Sequence, residues 1–184
     1  VYRDFEVEKV ADRVLRLKVP GLRGVTTGEY LCLYHKVYGG AAIYVGASDR
    51  CRLRDVTVLA FAGMGLVVTD RSTNVTLQGY RVRRPEGSQR LTSTNADGSK
   101  FIHTGGLLTI QNCSYEGMGD DAINIHSSYG RIGALERQSR TIRMISARRG
   151  QGGNQRPSPI SQRYVIPDDR IEFYDGVTLL PKGI

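Results

Sequence analysis

Three aspartates in the chain could together perform acid–base chemistry. Asp97 precedes a glycine, and Asp120 and Asp121 follow the tripeptide Gly117-Met118-Gly119. Carboxylates held close together repel one another, which raises the pKa of at least one and leaves a protonated acid beside an ionised base near neutral pH. Hydrolysis of a glycosidic bond requires such a pair. The alternatives are that these acids lie in solvated turns or bind a calcium ion.

Weak repeats indicate how the chain positions these acids. Four strand-like segments recur at intervals of 23, 35 and 22 residues. Their aligned third residues are Tyr44, Val67, Ile102 and Asn124. Short strands with a period in this range are typical of a solenoid, and a parallel β-helix fits the pattern better than leucine-rich or helical repeats. We therefore predict an all-β fold built as a parallel β-helix.

The spacing of the acids matches the repeat. Asp120 lies 23 residues after Asp97, which is one coil, and residues one coil apart stack on the same face. We therefore expect Asp97 to lie close to Asp120 and Asp121. Asn124 and His126 alternate along the next strand-like segment, so both are expected to share a face with the acids and are candidates for binding a sugar hydroxyl. A structural hydrogen bond is the alternative for His126.

The repeat pattern predicts two modules. Residues 1–130 are expected to form the β-helix coils that contain the aspartates. From residue 131 the pattern changes, and residues 131–184 are predicted to begin a small β-barrel module, with a loop in the Gly/Pro/Gln/Ser-rich segment 150–162. Because neither end shows a convincing capping coil, we expect the chain to be a fragment of a longer protein.

Several motifs resemble glycoside hydrolase family 110, whose members are exo-acting α-1,3-galactosidases that remove terminal galactose from blood-group-B-type and linear glycans. The resemblance lies in segments 90–97 and 116–126, in segments 38–43 and 62–65 upstream, and in 169–173 with 178–181. It implies a right-handed parallel β-helix with added β-barrel modules and a secreted or periplasmic location. It also implies an inverting reaction that needs no metal and no other cofactor.

The resemblance assigns the catalytic aspartates to Asp97, Asp120 and Asp121. We expect Asp120 to protonate the leaving oxygen, while Asp97 and Asp121 hold and deprotonate the attacking water. Inversion calls for a gap of about 6.5–9.5 Å between the acid and base carboxyls. The chain departs from the family at Ser99-Lys100, where a histidine usually follows the first aspartate. The expected partner is an α-galactosyl glycan, and a homodimer is left open.

Two other functions fit part of the pattern. Polygalacturonases share the Asn-x-Asp and Gly-Asp-Asp arrangement, but their Gly-His-Gly and Arg-x-Lys motifs do not follow Asp121 here. A β-helix that binds glycans without cleaving them would keep the repeat and tolerate loss of the acids. The first alternative predicts activity on pectin, and the second predicts binding alone.

Composition argues against two other classes of partner. The 184 residues have a formal net charge of +8, but the basic residues are dispersed and no nucleic-acid-binding motif accompanies them, so no nucleic-acid partner is expected. No apolar run approaches the roughly 18 residues of a membrane-spanning helix, so no membrane partner is expected. The three cysteines form no CxxC pair, which argues against a zinc site.

Overall fold

The structure, a computed structural model, describes residues 5–34, 37–127, 130–146 and 170–183. Every regular element in these ranges is a β-strand, so the all-β prediction is confirmed for the described residues. Within these same ranges, no helix is long and apolar enough to cross a membrane. The chain divides into two compact units, Val1–Leu33 and Tyr34–Ile184.

The described part of the first unit, residues 5–33, contains one antiparallel hairpin. Strands β1 (Glu6–Ala11) and β2 (Val14–Lys18) pair with Glu6 opposite Lys18 and Glu8 opposite Arg16. Both pairs place opposite charges across the ladder, and both form exposed ion pairs at 3.3 and 2.9 Å. Exposed pairs of this kind stabilise a hairpin only slightly, so they help to set its register more than its stability.

The second unit begins with ten short strands. They are β3 (Ala41–Gly46), β4 (Arg52–Arg54), β5 (Thr57–Val58), β6 (Met64–Thr69), β7 (Thr73–Gln78), β8 (Arg81–Val82), β9 (Ser99–Ile102), β10 (Gly105–Gln111), β11 (Ser114–Tyr115) and β12 (Ile123–His126). They form three parallel sheets with the orders β12-β9-β6-β3, β10-β7-β4 and β11-β8-β5. The chain thus visits each sheet in turn and returns to pair with the strand that it left one repeat earlier.

The backbone register corrects the predicted repeat at one position. Tyr44 pairs with Val67, Val67 with Lys100, and Lys100 with Asn124, so the intervals are 23, 33 and 24 residues. The sequence alignment had Ile102 in the place of Lys100. The two-residue error leaves every side chain on its predicted face, because the side chains of a strand alternate with a period of two. Apolar periodicity therefore determined the face but not the pairing.

The core lies between the three sheets. Inward side chains of alternate residues are fully buried, among them Leu66, Val68 and Phe101 from the four-stranded sheet and Leu77 from the sheet beside it. Tyr80 is also fully buried, and its hydroxyl donates a hydrogen bond to the Gly98 carbonyl at 3.2 Å. This bond satisfies a polar group that would be costly to bury alone. Because Gly98 directly follows Asp97, the core and the candidate site are joined at this point.

In the described ranges 130–146 and 170–183, four further strands follow in antiparallel pairs. β13 (Gly130–Glu136) pairs with β14 (Thr141–Ser146), and β15 (Phe173–Tyr174) pairs with β16 (Pro181–Gly183). Residues 147–169, which include the predicted loop at 150–162, lie outside the described residues. The β-barrel module and the division at residue 130 therefore stay predictions.

Candidate active site

The three aspartates meet at one edge of the four-stranded sheet. Asp97 lies just before β9, and Asp120 and Asp121 lie just before β12. Because β9 and β12 are adjacent and parallel, their N-terminal ends lie side by side. One carboxylate oxygen from each aspartate lies within 4.8 Å of the corresponding oxygens of the other two. The expectation that Asp97 lies close to both members of the doublet is therefore confirmed.

The residue that stacks on Asp97 is Asp121, although the sequence spacing pointed to Asp120. The Gly98 amide donates to the Asp121 carbonyl at 2.8 Å, and the Ser99 amide donates to the Ala122 carbonyl at 3.0 Å. Extending the pairing of Ser99 with Ile123 by two residues aligns Asp97 with Asp121. The coil is 24 residues long here, so a period of 23 missed this pair by one residue.

Glycine permits the loop before β12 to pack closely against the previous coil. The Gly119 amide donates to the Thr94 carbonyl at 2.9 Å. A Cβ built at Gly119 would lie 2.5 Å from the Asn95 carbonyl oxygen, which is closer than any real side chain tolerates. Only a residue without a side chain fits against this backbone, so Gly119 brings the acidic doublet next to the loop that ends at Asp97.

Asp97 is buried, with a relative exposure of 1%. It has the same strand parity as the inward-facing Ser99 and Phe101, which accounts for its burial. Neither carboxylate oxygen has a hydrogen-bond partner among the described residues. Burial is the main cause that raises the pKa of Asp97, and the charges of Asp120 and Asp121 raise it further.

Lys100 opposes this effect. Its ammonium lies 3.5 Å from Oδ2 of Asp97, and its positive charge lowers the pKa of that carboxyl, though by less than burial raises it. The same ammonium lies 5.8 Å from the centroid of the Tyr38 ring, within the range of a cation–π contact. Lys100 therefore joins the buried acid to an aromatic residue that precedes β3.

Tyr38 contacts the second acid. Its hydroxyl donates a short hydrogen bond to Oδ2 of Asp120, and its side chain is otherwise largely exposed. This bond to Asp120 is the main cause that raises the pKa of Tyr38 to about 12. The phenol therefore stays protonated at neutral pH and acts as a hydrogen-bond donor to the carboxylate.

Asn124 contacts the third acid, and His126 lies further along the same strand. The Asn124 side-chain amide donates to Oδ2 of Asp121 at 2.9 Å. Asn124 and His126 are both half-buried and alternate with the exposed Ile123 and Ile125. Asn124 is thus placed beside Asp121, and its role in binding a sugar hydroxyl stays a prediction. His126 pairs with Ile102, two residues beyond the row of Lys100 and Asn124.

Sequence reasoning missed Tyr38 and Lys100 as site residues. Lys100 stands in the register row of Asn124, so a correct coil length would have found it. Tyr38 is 82 residues from Asp120, and no local pattern connects the two. The one sequence feature that points to Tyr38 is its place before Gly39 and Gly40 in segment 38–43, which resembles glycoside hydrolase family 110.

The acids are also spaced closely enough to hold a cation, but their neighbours do not favour one. The Lys100 ammonium already lies beside Asp97, and the Tyr38 hydroxyl donates to Asp120. A divalent cation at this position would face the positive charge of Lys100 at close range. The charge of Lys100 therefore weighs against a cation at this position.

Comparison with known proteins identifies relatives over most of the chain. An α-1,3-galactosidase B of Akkermansia muciniphila is 30% identical over 164 residues, which are 88% of this chain and 19% of that protein. One of Bacteroides thetaiotaomicron is 28% identical over 71% of this chain and 22% of that protein. One of Phocaeicola vulgatus is 36% identical over 49% of this chain and 15% of that protein. No protein-family model matches the chain.

The chain spans about a fifth of the length of the first two of these relatives. The similarity nevertheless extends over most of the chain and recurs in relatives from several bacteria. The chain is therefore a relative of the bacterial α-1,3-galactosidases, which confirms the resemblance of its motifs to glycoside hydrolase family 110.

Proposed function

We propose that the chain provides the catalytic carboxylates of a glycoside hydrolase that removes terminal α-1,3-linked galactose from glycans. The observation that supports this most directly is the convergence of Asp97, Asp120 and Asp121, with one oxygen from each within 4.8 Å of the others. The names of the relatives supply the substrate class, because those proteins are α-1,3-galactosidases. The carboxylates supply the acid and the base that the reaction requires.

Exposure supports a division of roles among the acids. Asp120 and Asp121 are exposed and can touch a substrate directly, whereas Asp97 lies behind them. In the proposal Asp120 donates a proton to the leaving oxygen. Asp121, oriented by the Asn124 amide, deprotonates the attacking water together with Asp97.

The contacts of the acids before substrate binds indicate which of them substrate has to replace. The Tyr38 hydroxyl donates a hydrogen bond to Asp120, while burial raises the pKa of Asp97 and so favours its protonated form. In the proposal substrate displaces the Tyr38 hydroxyl from Asp120, which frees this carboxyl to protonate the leaving oxygen.

The stereochemistry is proposed from the resemblance. Inverting enzymes usually separate their two carboxyls by about 6.5–9.5 Å, a larger distance than the closest oxygens of these acids show. The resemblance implies inversion and metal independence, so we propose both for this chain. The anomer of the galactose that is released first tests inversion. Activity in the presence of a chelator tests metal independence.

The finer fold and its setting complete the proposal. We propose that the three parallel sheets are the faces of a right-handed parallel β-helix, because each of the turns β3–β5, β6–β8 and β9–β11 adds one strand to each sheet. A β-barrel module over 131–184 and a secreted or periplasmic location are proposed from the resemblance. The carbohydrate substrate is the proposed partner, and we propose no nucleic-acid or membrane partner.

The test is release of galactose from an α-1,3-linked digalactoside by the 184-residue chain and by a full-length protein that contains it. We expect galactose from the full-length protein and loss of release in its Asp120→Asn variant. Binding of the digalactoside without cleavage would instead support a glycan-binding β-helix. Cleavage of polygalacturonate in place of the galactoside would support the pectin-hydrolase alternative.

A further inference from the structure

The outward face of the four-stranded sheet leads from the acids to an exposed tyrosine. Lys100, Val67 and Tyr44 form one row across β9, β6 and β3. The residues beside this row, such as Phe101 and Val68, are buried in the core, so the row itself points away from it. Val67 is small and buried between its neighbours, whereas Tyr44 is 59% exposed. The outward surface is therefore recessed at Val67 and carries the exposed Tyr44 ring at β3.

Tyr44 is held in a fixed position. A Cβ built at Gly46 would lie 2.8 Å from Cε1 of Tyr44 and 3.1 Å from Oδ2 of Asp70, so the ring lies against the glycine backbone. The Tyr44 hydroxyl donates a hydrogen bond of 2.5 Å to Oδ2 of Asp70. A ring fixed at both ends loses little conformational entropy when a ligand packs on it.

The distance from the acids determines what this ring can bind. Tyr44 lies two strands from Lys100, and Lys100 lies three residues along the strand from Asp97, which together give roughly 14 Å by strand geometry. The sugar that is cleaved must sit at the acids, so Tyr44 is too far away to contact it. A sugar further along the same glycan would reach the ring.

We propose that Tyr44 and Asp70 form a subsite for a neutral sugar of the leaving-group chain, on the reducing side of the cleaved bond. This inference rests on the proposed function. The apolar C–H face of the sugar packs on the ring, and its hydroxyls donate to the Asp70 carboxylate, as an amphipathic ligand requires. The negative charge of Asp70 selects neutral sugars over acidic ones, because like charges repel at this range.

The experiment compares Tyr44→Ala with the parent, both as the 184-residue chain and within the full-length protein. Three glycans are used: α-1,3-digalactoside, a linear neutral pentasaccharide that ends in α-1,3-galactose, and its tetrasaccharide product. We expect kcat/KM for the pentasaccharide to fall about tenfold, the loss of one good aromatic contact, while kcat/KM for the digalactoside stays unchanged. Tyr44→Phe keeps the ring but loses the hydrogen bond to Asp70, so its kcat/KM for the pentasaccharide should fall less than that of Tyr44→Ala. Tyr30→Ala, at an exposed tyrosine of the first unit, is the matched control.

Binding of the tetrasaccharide product, measured by calorimetry, separates this inference from the proposed function. Weaker binding in Tyr44→Ala than in the parent and in Tyr30→Ala supports the subsite, even where none of the glycans is cleaved. Equal binding by all three proteins, or no binding by the parent, overturns the subsite while leaving galactose release untouched. Equal losses of activity on the digalactoside and the pentasaccharide also overturn it. Thermal unfolding of each variant shows that the fold is retained.

Discussion

The hydroxyl of Tyr38 donates a hydrogen bond to Oδ2 of Asp120, which lies 82 residues further along the chain. The two residues belong to loops that precede β3 and β12, the outer strands of the same four-stranded sheet. The phenol contacts the exposed carboxylate where, in the proposed function, a sugar would present its own oxygen. In the proposed function, substrate therefore displaces the Tyr38 hydroxyl from Asp120 when it binds.

Removing the charge of Asp120 should return Tyr38 toward ordinary phenol behaviour. Asp120→Asn loses the carboxylate that is the main cause of the raised pKa of about 12, so the pKa of Tyr38 should fall toward the usual value near 10. The measurement is an NMR titration of ¹³C-labelled tyrosine, with Tyr38→Phe to assign the resonance. Asp12→Asn, at an exposed aspartate of the first unit, is the control. An unchanged titration in Asp120→Asn would show that the hydrogen bond does not form in solution.

Lys100→Met should raise the pKa of Asp97 above its value in the parent. The lysine charge is the largest of the effects that lower this pKa, and the substitution leaves only burial and the like charges of the doublet. A ¹³C NMR titration of the Asp97 carboxyl measures the change. Lys100→Arg keeps the charge and should shift the pKa much less. Lys182→Met, which breaks an ion pair with Asp175 elsewhere, should leave the Asp97 titration unaltered.

Lys100→Met should also lower the free energy of unfolding, by an amount that depends on pH. Leaving a buried carboxylate without its cation costs about 3 kcal/mol in the free energy of unfolding at neutral pH. The pKa of Asp97 is raised in the folded state, so its protonated form is favoured there. Stability from this group is therefore fully present below the unfolded pKa near 4 and is lost as pH rises through the folded pKa. Urea unfolding at acidic and neutral pH should show a larger deficit at neutral pH, and an equal deficit at both would contradict this account.

Substituting each acid by asparagine should abolish catalysis and preserve the fold. Asp97→Asn, Asp120→Asn and Asp121→Asn each remove a proton donor or acceptor, and turnover of the α-1,3-digalactoside by the full-length protein should fall about 10²- to 10⁴-fold. Thermal unfolding should show no large loss of stability, and Asp97→Asn also relieves the burial of a charge. Asp12→Asn again serves as the control. Turnover equal to the parent in any of the three variants would remove that residue from the mechanism.

The anomer of the released galactose tests inversion. A single displacement at an α-galactoside gives β-galactose first, whereas a double displacement gives α-galactose first. Proton NMR during the first minutes of reaction distinguishes the two before mutarotation mixes them. Initial α-galactose would mean that the spacing of the acids, with oxygens within 4.8 Å, reflects a retaining mechanism.

Gly119→Ala tests the close packing that positions the doublet. The added Cβ would lie 2.5 Å from the Asn95 carbonyl oxygen, so the backbone must shift, at a cost of about 1–3 kcal/mol in the free energy of unfolding. The shift moves Asp120 and Asp121 relative to Asp97, so activity should fall as well. Gly176→Ala, where a Cβ meets nothing within 4 Å, should leave both stability and activity near the parent values.

The sequence by itself determined the strand composition, the parallel stacking and the proximity of the three acids. Alternating apolar residues mark which side chains face the core, and the repeat brings Asp97 near the doublet whether the coil has 23 or 24 residues. A resemblance carried by the same residues also pointed to the correct relatives. These features survive small errors in alignment, because a two-residue shift returns each side chain to the same face.

Only the tertiary structure decided the pairing and the partners of each acid. Backbone hydrogen bonds from Gly98 and Ser99 set the register that aligns Asp97 with Asp121. Burial against the core raises the pKa of Asp97, and no sequence pattern reports how deeply a residue before a strand is buried. Tyr38 reaches Asp120 only because the chain returns to the same sheet edge 82 residues later. Contacts of this length depend on the exact path of the loops, which local periodicity does not encode.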